Sequence, residues 1–330
     1  MTRVLIRCDI GSQHGMAHAV RCRALARALA AGGATVLFVT ATPELAPFVA
    51  PLSCYVGSPY TEFLYLADAA DVVVFDQKDV WVESNYVALR ESTRVVRIDA
   101  QAEFESCDLL VFPNAHQAPT TIASLHAIFG ERLLAGWDYV ILDPIVTQQA
   151  PVPYAERQDG PIVFCAGGSD PTGALRQMYH WGAFLALVAP LVFLVGQHAA
   201  DGPMASDSHM RKYATVEPFD RRWLHHAALV VTMFGITAYE CAYWRTPVVT
   251  FARTEEDAAG IQRLAAAGIN VVPGDSPPLF PALTQERFCA TVEAHCESDV
   301  RAGMHAASAG LIDGHGTARV ADAIMALAGA

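Results

Sequence analysis

Three stretches of small residues in this 330-residue chain stand where an apolar run gives way to a helical pattern. They are Gly15-Met16-Ala17-His18, Gly167-Gly168-Ser169-Asp170 and Phe234-Gly235-Ile236-Thr237. The opening amides of a helix have no intrahelical partners and lie at the positive end of its dipole. Such loops favour phosphate, and small residues let it come close. Each alone is equally a tight turn. Other chemical signatures are missing. The loop Gly11-Ser12-Gln13-His14-Gly15 is not the G-x-G-x-x-G of dinucleotide folds, and no G-x-x-x-x-G-K-[ST], H-E-x-x-H or G-x-S-x-G occurs. The cysteines (Cys8, Cys22, Cys54, Cys107, Cys165, Cys241, Cys289 and Cys296) form no C-x-x-C. Free, mostly buried thiols are expected, without a metal site or a disulfide framework.

The elements that must hold these loops read as two α/β halves. Val4–Ile10 is strand-like, and a helix is expected from His18 to the glycine pair at 32–33. Ala34–Thr40, Asp71–Gln77, Arg94–Ala100 and Cys107–Asn114 follow as strands, with a helix over Trp81–Ser92. A proline-rich segment, taken as a linker over residues 146–160, separates a 1–145 domain from a 161–330 domain. Strands then recur at Pro161–Ala166, Leu191–Gly196, Tyr213–Val216, Leu229–Phe234, Val248–Ala252 and Asn270–Val272. Helices are expected over Arg221–Ala228, Ile236–Trp244, onward to Ala267, and through most of the tail from Thr284. Unbroken Val/Ile/Leu runs fit parallel strands covered on both faces. Two doubly wound domains with a ligand cleft at their strand ends are the expected architecture.

Composition sets the outer bounds. Apolar residues make up 53% and charged residues 17%, with mean hydropathy +0.27, enough for two large cores. Against 22 basic residues stand 34 acidic ones, a net of −12, which disfavours nucleic acid as a partner. No apolar run is long enough for a membrane span, and the N-terminal run is too short and too charged for a signal peptide. A cytoplasmic monomer is expected.

Taken together, the motifs resemble one family. Arg7-Cys-Asp9-Ile-Gly-Ser12-Gln13-His-Gly15-Met-Ala-His18-Ala-Val-Arg21-Cys22 resembles the opening R-x-D-x-x-S-Q-x-G-x-G-H-x-x-R-C of the PseG/SpsG-type nucleotide-sugar hydrolases. Asp76 stands at that family's D-x-Y turn. Cys107-Asp-Leu-Leu with Asn114, Gly167-Gly-Ser-Asp-Pro171, and Asp313-Gly-His-Gly316-Thr-Ala-Arg319-Val320 are similar to later family elements. Gly235-Ile-Thr237-Ala-Tyr239-Glu240 with Pro247 resembles a stretch shared with the MurG-like glycosyltransferases. The resemblance implies a GT-B architecture of two Rossmann-like domains. The last helix could return to the first domain, and UDP would lie in the second, as part of the substrate and with no separate cofactor. The implied reaction is metal-independent hydrolysis of a UDP-sugar at the anomeric carbon.

Residue roles follow from the resemblance. His18 would be the catalytic group, since an imidazole exchanges a proton near neutral pH. Ser12, Gln13, His14, Gly15, Met16, Ala17, Arg21 and Asn114 would line the sugar side. Arg21 would either reach a phosphate or run along its own helix. Gly167, Gly168, Ser169, Phe234, Gly235, Ile236 and Thr237 would hold the nucleotide, and Glu240 the ribose hydroxyls. Asp170 reads equally as a helix cap. Lys78, Glu256 and Asp257 replace the family's tyrosine, asparagine and glutamine, changing charge near the sugar. Two alternatives to hydrolysis stand: transfer of the sugar from UDP to a small soluble acceptor, and nucleotide-sugar binding without catalysis.

Overall fold

A computed structural model describes residues 1–10, 16–57, 60–76, 88–100, 106–114, 117–170, 172–182, 185, 189–197, 214–269 and 279–329. The chain forms two compact units, Met1–Pro144 with Gly314–Ala330, and Ile145–Asp313.

The first unit is built on strands β1 (Arg3–Arg7), β2 (Thr35–Thr40), β3 (Ser53–Val56), β4 (Val72–Phe75), β5 (Arg94–Ile98), β6 (Leu109–Phe112) and β7 (Leu133–Ala135). They pair in parallel in the order β3-β2-β1-β4-β5-β6-β7. Every residue of β4 and β6 is buried, as the apolar runs require of a sheet covered on both faces. Side chains alternate between two cores. Val4, Ile6, Val72 and Val74 meet the Ala17–Ala31 helix on one face. Leu5, Val73 and Leu110 meet Phe63, Leu125 and Phe129 on the other.

The last helix, Gly316–Ala328, belongs to this first unit and adds Val320 and Ile324 to the first core. The sequence Asp313-Gly-His-Gly316-Thr317 makes that return possible. Gly314 turns the chain at φ 80°, and a Cβ on Gly316 would collide with the backbone of Val140. The Thr317 hydroxyl donates to the Leu142 carbonyl at 2.8 Å and accepts from the Leu142 amide at 3.0 Å.

The second unit carries β8 (Ile162–Cys165), β9 (Leu191–Val195), β10 (Ala214–Pro218), β11 (Leu229–Met233) and β12 (Val248–Phe251), all parallel in the order β10-β9-β8-β11-β12. Residues expected as a linker hold two short helices, Pro144–Thr147 and Tyr154–Arg157, and are tied onto this unit. Trp244 Nε1 donates to the Val146 carbonyl at 3.1 Å. Arg157, 1% exposed, donates to the carbonyls of Val152, Ala227 and Trp244 and to the Thr246 hydroxyl.

The expected strands at β1, β2, β4–β6 and β8–β12 are present. The edge strands β3 and β7 went unforeseen: they are short, and β3 is mostly exposed and so lacks an apolar run. Most of the Trp81–Ser92 helix and all of Asn270–Val272 lie outside the described residues. In both sheets the strand order reverses once, between β1 and β4 and between β8 and β11. In sheets of this kind the loops leaving the two reversal strands part to opposite faces, and ligands bind there.

Candidate functional site

At the first reversal, four charged or titratable groups meet. His18 and Arg21 sit three residues apart on the Ala17–Ala31 helix and therefore share a face. Asp76 and Asp99 each stand one residue beyond the end of a strand, β4 and β5. His18 Nδ1 lies 2.6 Å from Asp76 Oδ1. Arg21 grips the same carboxylate in bidentate fashion, Nε to Oδ2 and Nη2 to Oδ1, both at 2.5 Å. It also reaches Asp99 Oδ2 at 3.3 Å, and Asp99 has φ 58°. Cys22 adds its thiol to Asp76 Oδ2 at 3.2 Å.

Asp76 has no exposed surface. Burial opposes its ionisation, but the Arg21 guanidinium and then His18 outweigh it, holding the carboxyl well below the usual carboxylate range. Burial likewise opposes the Arg21 charge, and Asp76 and Asp99 overcome it, raising its pKa. An ionised carboxylate at 2.6 Å must receive a proton, so Nδ1 of His18 carries the hydrogen. The 3.1 Å approach of Arg21 Nη2 to that nitrogen is then a contact between two donors. In the neutral form of such a ring Nε2 is the acceptor, the form a general base needs. Arg21 thus neither runs along its helix nor stands free for a phosphate; it anchors Asp76.

The neighbouring Asp9 is a brace. Its Oδ1 takes Arg7 Nη1 at 2.6 Å, the Thr40 hydroxyl at 2.8 Å and the Ala41 amide at 2.7 Å, joining the ends of β1 and β2. Of the other sugar-side candidates, Met16 caps the His18 helix by position and is buried, and Ala17 opens it half-buried. Asn114 follows β6 half-buried. Ser12, Gln13, His14, Gly15 and Lys78 lie outside the described residues.

The second reversal holds two loops of different character. After β8, Gly167 has φ 87°, Ser169 is buried, and both oxygens of Asp170 accept helix-opening amides, from Ala174 at 2.9 Å and Leu175 at 3.0 Å. That helix start already holds an anion of its own, so the cap reading of Asp170 is the one the geometry bears. Gly196, just after β9, lies flush against this loop, because a Cβ there would strike the carbonyls of Gly167 and Gly168.

After β11, the Ile236–Trp244 helix starts at Gly235, an N-cap residue with no side chain of its own to fill the helix start. Ile236 is half-buried and Thr237 buried. Phe234 can offer only its backbone: its ring is 1% exposed and lies in the space a Cβ on Gly260 would fill. Its carbonyl accepts from Arg253 Nη2 at 2.7 Å. Glu240, one turn along the helix, is wholly buried and accepts from Arg221 Nε at 2.9 Å. Asp257 serves its own helix start: it accepts the Arg253 amide at 3.0 Å while Thr254 accepts the Asp257 amide at 3.2 Å. Glu256 stands beside it in the first turn, half-buried.

The residue reading gave Asp76 a motif position but no role, and it passed over Asp99, Arg221 and Arg253. An acid directly after a wholly apolar parallel strand is the signal that could have given Asp76 a role; the strand before Asp99 carries two arginines and lacks that signal.

No protein-family model and no curated protein matches the chain. Solved structures do. Staphylococcus aureus MnaA, solved with UDP, superposes at TM-score 0.64 with 12% identity, over 98% of this chain and 96% of that one. Acinetobacter baumannii MurG gives 0.66 at 15% identity, over 99% and 100%. The calicheamicin glycosyltransferase CalG4 gives 0.59 at 16%, over 99% and 98%. The fold is GT-B. At these identities the likeness is one of architecture, and it spans both GT-B units of the chain. Among the described residues no helix is long and apolar enough to cross a membrane.

Proposed function

We propose that this chain is an enzyme of UDP-linked sugars that breaks the bond between the anomeric carbon and UDP. One observation carries the reading: an imidazole fixed by a buried carboxylate, His18 Nδ1 to Asp76 at 2.6 Å, at the strand-order reversal of a GT-B unit. Similar folds include a UDP complex, MurG and a glycosyltransferase, which supports UDP as the leaving group.

In this reading the diphosphate takes the glycine-led helix start at Gly235, Ile236 and Thr237, where amides and dipole favour an anion. Glu240 accepts the ribose hydroxyls. His18 Nε2 removes a proton from the attacking O–H as its oxygen bonds to the anomeric carbon. The carbon–oxygen bond to UDP breaks, and its electron pair leaves with the β-phosphate. Asp76 holds the tautomer and stabilises the imidazolium that forms.

The attacking oxygen is water in the first reading, by the family resemblance. An acceptor hydroxyl is the second, favoured by the glycosyltransferase among the similar folds. The same base serves both. By the resemblance, Lys78 and Glu256 stand where the family has an uncharged tyrosine and asparagine. That change of charge favours a sugar specificity different from the family's neutral diacetamido sugar. The deciding experiment follows UDP release from a panel of UDP-sugars, with and without acceptors. Release without acceptor supports hydrolysis, and release only with acceptor supports transfer. UDP binding with no turnover on any pair overturns both in favour of a binding protein.

A further inference from the structure

We propose that Arg221 is a positioning residue for Glu240, holding its carboxylate ionised and in one orientation for the ribose diol. This rests on the reading of Glu240 given above. A carboxylate removed from water keeps its charge only beside a countercharge. Glu240 is 0% exposed, and Arg221 meets it through Nε at 2.9 Å from Oε1.

The local sequence directs Arg221 there. It is the first residue of the Arg221–His226 helix, after β10, whereas Glu240 lies on the helix after β11. Arg221 and Arg222 are neighbours with opposite fates. Asp220 caps the short helix by accepting the Arg222 amide at 2.9 Å, and its other oxygen takes the Arg222 guanidinium at 2.8 and 2.6 Å. The nearest carboxylate is therefore occupied by an arginine that is 84% exposed, and Arg221, 18% exposed, crosses to the buried one. Its guanidinium also lies 5.8 Å from the centre of the Phe219 ring. A fixed guanidinium on one carboxylate oxygen sets the plane in which the group can accept from a vicinal diol. Asp220 and Phe219 thus act on the ribose site at second hand, by deciding where Arg221 points.

The test is titration calorimetry of UDP and of 2′,3′-dideoxyuridine diphosphate against the unmodified protein, Arg221→Ala, Arg221→Lys and Glu240→Gln. The unmodified protein should prefer UDP by tenfold or more, the scale of hydrogen bonds to a charged group. Arg221→Ala should lose that preference, weakening UDP about tenfold while the dideoxy ligand stays within about twofold, and Arg221→Lys should restore part of it. Equal weakening of both ligands would mean a merely structural role, and a preserved preference would mean none; either overturns the proposal. A folded unmodified protein that binds both ligands equally refutes the Glu240 reading itself, and Glu240→Gln should then be silent. If Arg221→Ala does not fold, Arg221→Lys and Arg221→Gln decide by the same ratio.

Discussion

Replacing Asp76 by asparagine tests the charge network at its centre. The carboxylate receives two hydrogen bonds from Arg21 at 2.5 Å and one from His18 at 2.6 Å, with no exposed surface of its own. Removing one member of a buried ion pair costs about 3–5 kcal/mol, because the other charge is left in place. Here Asp99 remains 3.3 Å from Arg21, so the cation keeps one countercharge and the loss should fall near the lower end, about 3 kcal/mol. The network lies wholly in the first unit, so the assay should read that unit alone. Hydrogen exchange at the β1 and β4 amides under increasing urea does so.

The pH dependence gives a second check on the same variant. Asp76 is held below its ordinary value, so its stabilisation is complete above about pH 4, where an unfolded aspartate is ionised. It is lost as pH falls toward the native value. Asparagine does not titrate. The gap between the two proteins should be widest at neutral pH and close in acid. A gap under about 1 kcal/mol at pH 7, or one unchanged between about pH 6 and pH 3, would refute the account of the network.

Other perturbations reach other parts of the argument. His18→Ala should leave UDP affinity near that of the unmodified protein and cut turnover by about 10²–10⁴, as loss of a general base does; steady-state kinetics retaining a third of the rate would move the role elsewhere. Burial pushes the Cys165 thiol up to about 12, so the stability it contributes is complete below the unfolded value and falls as pH rises above it. Cys165→Ala should remove about 1.4 kcal/mol per pH unit from the alkaline slope of the second unit, read from urea unfolding between about pH 9 and pH 11. Gly196→Ala should destabilise the second unit by roughly 1–3 kcal/mol, since its Cβ would meet the carbonyls of Gly167 and Gly168, and an unchanged melting transition would count against that contact.

What the sequence made legible follows the physics of each signal. Parallel strands buried on both faces leave continuous apolar runs, so Val72–Phe75 and Leu109–Phe112 stood out at once. Ser53–Val56 pairs only at a sheet edge, is mostly exposed, and leaves no such run. At the site the divide is sharper. Loops of small residues and a histidine at a helix start are local patterns and could be read. The partners of those residues are not local: Asp76 lies 58 positions from His18, and Arg221 lies 19 from Glu240. Only the order of the strands brings them together, and that order reverses at β1 and β4, the strands that precede the His18 helix and Asp76. Arg21 shows the consequence. On sequence alone a cation three residues after a loop histidine could be a phosphate ligand or a surface residue. With β4 beside β1, the carboxylate that ends β4 claims it, and a residue expected to meet substrate becomes the one that fixes the charge behind the His18 imidazole.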